Sequence, residues 1–268
     1  MFDLANDKLK RMKLLYPTIE PTTNLEEILK DPSIDAIAIA TPVYTHLEIG
    51  KQCLENNKHV LIEKALASSS EECIKLIQLA EKYNRVLMVG HTFEYTAAVI
   101  KAKEIVESGE LGDIYYISCV RVNLGLFQPD INVIWDLAPP DLSIILYILK
   151  EFPSIINAQG KAHFKKDIED VATITLNFPN GTIAFLHNSW LGPNKIRKVT
   201  IVGSKKMLVY DDISQNEKIK IFDKGIETPQ YYDSYGEFHF SYRYGNIYTP
   251  RLNEYEPLRQ ECEHFLGA

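Results

Sequence analysis

Glu63 and Lys64 stand side by side at the end of a short apolar run, Val60, Leu61 and Ile62. The run has strand character, and it reads as a buried strand of a parallel sheet. Ligands of open α/β sheets bind at the carboxyl ends of the strands. An ammonium placed there can offset developing negative charge and pass a proton. The adjacent carboxylate can hold that ammonium or contact a ligand. The ordinary alternative is a solvated lysine at a strand end, in a surface ion pair worth little. Other candidates are scattered. His91 follows a second apolar run and either borders a pocket or is a core histidine bonded to backbone. Asp136 either contacts a ligand or caps a helix. Arg121, Arg243 and Arg251 either clamp a diphosphate, which guanidinium matches in a bidentate way, or are separate surface charges. No His, Cys, Asp and Glu cluster has metal-ligand spacing, so no metal is expected.

The elements that must position these groups alternate. Helices are expected over 7–16, stopped by Pro17, and up to Lys30 after a cap at Thr23 or Asn24. A strand over 36–40, a helix over 44–57, the strand ending at Glu63, a helix from 68–70 to 83 and a strand over 85–91 follow. Strand and helix recur at intervals of roughly 25 residues, the pattern of βαβ units. After His91 the pattern changes. A helix over 96–108 and a strand over 114–122 lead to a strongly apolar helix. That helix is expected to begin at or near Pro140, because a proline restricts the residue before it. The runs 155–161, 171–178, 182–190, 198–202, 206–210 and 218–222 read as strands, with a hairpin at Asn180-Gly181. The Tyr-rich stretch 230–255 reads as an extended loop, and 257–266 as a last helix. The expected fold class is α/β: an incomplete Rossmann domain over 1–92, its first βα unit missing, then an α+β domain over 93–268 with a large, mostly antiparallel open sheet.

Charge and composition narrow the partners. Of the 268 residues 46% are apolar, and the net charge is −7, which argues against nucleic acid or an anionic membrane. No apolar run approaches a membrane span, and the first residues do not resemble a signal peptide. The four cysteines include no Cys-x-x-Cys pair and fit a cytoplasmic protein. None of the thirteen glycines has the Gly-x-Gly-x-x-Gly spacing that opens a dinucleotide-binding fold. The chain is therefore expected to enter that fold late, at the tail of its second strand. Asp3 would then bind the adenosine ribose, or else cap a helix.

Glu63-Lys64-Ala65, with Ala40-Thr41-Pro42 and Gly90-His91, resembles the Gfo/Idh/MocA oxidoreductase family over nearly the whole chain. The family motif is Glu-Lys-Pro, and Ala65 replaces its proline. Trp135-Asp136-Leu137-Ala138-Pro139-Pro140-Asp141 resembles Trp-Asp-Leu-Ala-Pro-His-Asp of one branch, with Pro140 where the general-base His stands. The resemblance implies hydride transfer between NAD or NADP and a secondary hydroxyl of a sugar, nucleotide sugar or cyclitol. Lys64 would lie between nicotinamide and substrate, with Asp136 assisting. Thr41, Pro42, His46, Glu63 and His91 would line the cofactor crevice, although a helix start explains Thr41 to His46 as well. Arg121 and Arg243 would contact substrate, and 242–258 resembles enzymes acting on nucleotide sugars. The C-terminal sheet would assemble a homo-oligomer. The competing expectation is a catalytically impaired fragment or pseudoenzyme serving as an interaction subunit. Without the glycine loop, cofactor binding is expected to be weak or absent.

Overall fold

The structure, a computed structural model, describes residues 1–125, 127–128, 130–227 and 241–268. The chain forms two compact units, Met1–Gly90 with Phe265–Ala268, and His91–His264.

The first unit runs α1 (Asn6–Leu15), α2 (Leu25–Lys30), β1 (Ala36–Ile39), α3 (His46–Glu55), β2 (His59–Glu63), α4 (Ser70–Tyr83) and β3 (Leu87–Gly90). The strands are parallel in the order β1-β2-β3. α2 starts where the Asn24 side chain accepts the Glu26 N–H, and α4 where Ser69 accepts that of Glu72. Glu71 and Glu72 complement the positive end of α4. Val60 and Ile62 of β2 are wholly buried among Leu29, Leu54 and Leu76. Burial on both faces explains why β2 is continuously apolar rather than alternating.

The second unit holds α5 (Ala97–Glu107), β4 (Ile114–Leu124), α6 (Val133–Leu149), β5 (Ile155–Lys161), β6 (Val171–Asn177), β7 (Ile183–Ser189), β8 (Leu191–Gly203), β9 (Met207–Asp211), β10 (Ile219–Glu227), β11 (Ser241–Tyr248) and α7 (Pro257–Gly267) up to His264. Its eight-stranded sheet has the order β11-β10-β9-β8-β4-β7-β6-β5. Among the described residues only β4 and β7 pair in parallel. Val99 and Ile105 of α5 and Ile144, Ile145 and Ile148 of α6 share one core with Ile117, Ile174, Leu186, Ile201 and Leu208 of the sheet. The β6–β7 turn closes through Gly181, whose φ of 89° a side chain would disfavour.

Two expectations are corrected. α6 begins at Val133, not at Pro140, and carries Pro139 and Pro140 inside it. Two missing N–H groups cost helical bonds, each proline of order 3 kcal/mol. The Asn132 side chain caps the helix on the Trp135 N–H at 3.0 Å. Val133, Ala138 and Pro140 are buried along it. Cap and burial together outweigh the broken ladder. Residues 241–248 form strand β11, not a loop, because Tyr242, Tyr244, Ile247 and Tyr248 favour extended backbone and β10 supplies an edge to pair with. Of the rest of that expected loop, 249–255 forms no helix or strand, and 230–240 lies outside the described residues. No described helix is long and apolar enough to cross a membrane.

Candidate active site

The carboxyl ends of β1, β2 and β3 carry Thr41 and Pro42, Glu63 and Lys64, and Gly90 respectively. Glu63 and Lys64 are half-buried. Glu63 pairs in register with Gly90. A Cβ at position 90 would stand 3.3 Å from the Glu63 Cα and from its carboxylate, so glycine gives that carboxylate its place across β3. The Lys64–Ala65 peptide is cis.

His46 ties this edge together. It is 1% exposed. Its Nδ1 lies 2.9 Å from the Ala65 carbonyl and its Nε2 2.8 Å from the Thr41 carbonyl. The ring therefore fastens the turn after Lys64 to the turn after β1, and both nitrogens face backbone. Thr41 and Thr45 share a hydroxyl hydrogen bond of 2.7 Å. Asp3 accepts the Ala5 N–H at 2.8 Å just before α1, and Lys8 lies 3.7 Å away. Thr41, Pro42, Glu63 and Lys64 are the residues that can hold the ring end of a nicotinamide dinucleotide. The polar pair and the cleared space over Gly90 fit such a group.

In the second unit Asp136 sits in the first turn of α6 and accepts the Trp190 indole N–H at 2.9 Å. Trp190 is 1% exposed, at the end of β7. Arg121 of β4 is buried against Asp141 of α6, with Nη2 2.7 Å from one carboxylate oxygen and Nε 3.2 Å from both. The guanidinium also lies 4.7 Å over the Phe93 ring. Burial pushes the Asp141 carboxyl up, against the pull of Arg121. Arg243 of β11 donates to Asp223 at 3.0 Å and to the Lys205 carbonyl. Three strands lie between β4 and β11, four spacings or roughly 19 Å at ordinary strand separation, so the structure does not bring Arg121 and Arg243 to one diphosphate. Arg251 lines a cleft of about 710 Å³ with Lys218, Asp212 and Tyr255. The buried Nδ1 of His91 has no hydrogen-bond partner among the described residues, and burial lowers its pKa. Among the described residues no group of three His, Cys, Asp or Glu could hold a metal.

Sequence reasoning missed two pairings, Trp190 with Asp136 and His163 with Asp170. The first spans 54 residues. It exists only because β7 delivers Trp190 beneath the start of α6, so no local signal marks it.

Residues 6–91 match the family model described as an oxidoreductase family with an NAD-binding Rossmann fold, and residues 99–209 match the Gfo/Idh/MocA C-terminal domain. The chain belongs to the Gfo/Idh/MocA oxidoreductase family. It is 22% identical over 271 residues to myo-inositol 2-dehydrogenase of Thermotoga maritima, covering 94% of this chain and 78% of that protein. It is 29% identical over 198 residues to UDP-N-acetylglucosamine 3-dehydrogenase of Acidithiobacillus ferrooxidans, covering 73% of this chain and 60% of that protein. A solved structure of the latter enzyme shares the fold, with TM-score 0.78 at 24% identity over 99% of this chain and 78% of that one. The α/β class and the large, mostly antiparallel C-terminal sheet agree with that family.

Proposed function

We propose that this chain transfers hydride between NAD or NADP and a secondary hydroxyl carbon of a sugar, nucleotide sugar or cyclitol. The observation that carries the reading is the Glu63–Lys64 pair at the carboxyl end of β2, with the following turn held by His46. A bound nicotinamide supplies the hydride acceptor or donor. Thr41, Pro42 and Glu63 hold it, and Lys64 offsets negative charge growing on the substrate oxygen. Asp136, oriented by Trp190, accepts a hydrogen bond from a substrate hydroxyl. The names of the two relatives, one for inositol and one for UDP-N-acetylglucosamine, support a polyhydroxylated ring as substrate.

The test is formation of reduced cofactor from NAD or NADP with UDP-N-acetylglucosamine, myo-inositol or D-glucose. Lys64→Ala is expected to lower kcat by about 10²-fold or more, and full activity in that variant would sink the reading. A second reading, a non-catalytic interaction subunit, is favoured by Pro140, buried on α6 without a titratable group. A wild type that is folded, oligomeric and inert with every sugar supports it instead.

A further inference from the structure

The three arginines that could clamp a diphosphate have different settings in the second unit. Arg121 is buried against Asp141, and Arg243 is engaged by Asp223 and the Lys205 carbonyl. Arg251 makes neither a hydrogen bond nor an ion pair with any described residue. It stands exposed in the segment 249–255 and lines the cleft of about 710 Å³ between that segment, the β9–β10 turn and the first turn of α5. Every residue lining the cleft belongs to the second unit. Small-molecule sites have volumes of roughly 300–1,000 Å³, so the cleft has the size of one.

One wall of the cleft is closed on itself. The Asp212 carboxylate accepts from the Tyr210 hydroxyl at 3.1 Å and lies 3.5 Å from both Lys218 and Arg197. Lys218 also donates to the Asp212 carbonyl at 2.7 Å. The other wall is open. Arg251, Asn253, Glu254 and Tyr255 lie along it, and none of them has a side-chain hydrogen bond or ion pair among the described residues. The carboxamide of Asn216, in the β9–β10 turn, is free in the same sense. Lys218, Arg197 and Arg251 stand against Asp212 and Glu254, so the cleft keeps an excess of positive charge.

Each open group answers one part of a nucleotide. Guanidinium matches phosphate oxygens in a bidentate way. A carboxylate accepts from ribose hydroxyls, as in dinucleotide sites. A carboxamide offers a donor and an acceptor to a base edge. A tyrosine ring gives a face on which a base stacks. The chain order Arg251, Glu254, Tyr255 is that of phosphate, ribose and base. We propose that this cleft binds a nucleoside diphosphate. Its phosphates meet Arg251, its ribose Glu254 and its base Tyr255, with the base edge read by the carboxamides of Asn216 and Asn253. Binding uses the second unit alone and stands whether or not the chain transfers hydride.

The experiment titrates UDP, CDP, ADP, GDP and inorganic pyrophosphate into the full chain by isothermal calorimetry. At least one nucleotide is expected to bind about 10-fold or more tightly than pyrophosphate, because a stacked base adds that much. Arg251→Ala is expected to weaken that nucleotide about 10-fold or more. Arg251→Lys is expected to recover only part of the loss, since lysine keeps the charge without the fork. Tyr255→Ala is expected to weaken it about 10-fold. Both side chains are exposed, so the circular dichroism spectrum of each variant is expected to match the wild type. Pyrophosphate bound as tightly as every nucleotide, a nucleotide affinity unchanged in Arg251→Ala or Tyr255→Ala, or no nucleotide bound at millimolar concentration overturns the proposal. None of these outcomes bears on hydride transfer, which Lys64→Ala tests separately.

Discussion

Lys64 draws its setting from a residue eighteen positions earlier. The peptide carbonyl just after it ends on buried His46, whose other nitrogen faces Thr41. Replacing His46 by Phe keeps the ring volume and removes both partners. A neutral imidazole can donate to only one of these two carbonyls, and a carbonyl left without its donor costs about 1–3 kcal/mol, so His46→Phe is expected to lose stability in urea denaturation. It is also expected to lower turnover more than the melting curve explains, because the turn after Lys64 loses its tether. Unchanged stability and rate would show that the two contacts are incidental. The chemical residues were legible unevenly. Glu63 and Lys64 stood out because an apolar run ends on them. The role of His46 was hidden, since its contact with Ala65 crosses between two strand–helix turns.

Elements were legible where one local rule decided them. The capped helices α2 and α4 and the apolar strands β1 to β3 follow from side-chain caps and buried runs. α6 and β11 were misread because tertiary partners decided them, a cap and a buried face for one and the edge of β10 for the other. The loop joining β5 to β6 is a further case, since nothing local marks Asp170 as its anchor. Its carboxylate is held below its ordinary pKa by the His163 ring and two N–H groups, against burial. A depressed folded-state pKa stabilises the protein fully above the unfolded value, about pH 4, and that contribution fades as pH falls through the folded value. Wild type is therefore expected to exceed Asp170→Asn in urea stability at pH 6, with the gap narrowing toward pH 3. A gap that stays constant across that range would mean that the charge of Asp170 contributes nothing.

At the scale of the whole molecule, the change in sequence rhythm near residue 91 coincides with the passage from parallel units to a large antiparallel sheet. What alternation along single strands left open was which face of that sheet stays uncovered. α5 and α6 bury one face with Ile117, Ile174 and Leu186. On the other, Ile155 of β5, Tyr116 of β4 and Phe185 of β7 are 57%, 39% and 44% exposed. Ile155, Asn177, Ile183 and Tyr116 follow one another in register across four strands, and Phe185 meets Tyr116 with ring centroids 6.2 Å apart. A contiguous apolar face of this kind marks an interaction surface, and we propose that a second copy of the same chain would cover it through a two-fold contact. That occupant is a proposal, and light scattering after gel filtration decides it. The wild type is expected to elute as a dimer or larger, and Phe185→Glu as a monomer with an unchanged circular dichroism spectrum. A charge brought into such a contact without a partner is strongly disfavoured, whereas in a monomer the same residue is solvated and harmless. A wild type that is monomeric at micromolar concentration would remove the second copy as the occupant of this face.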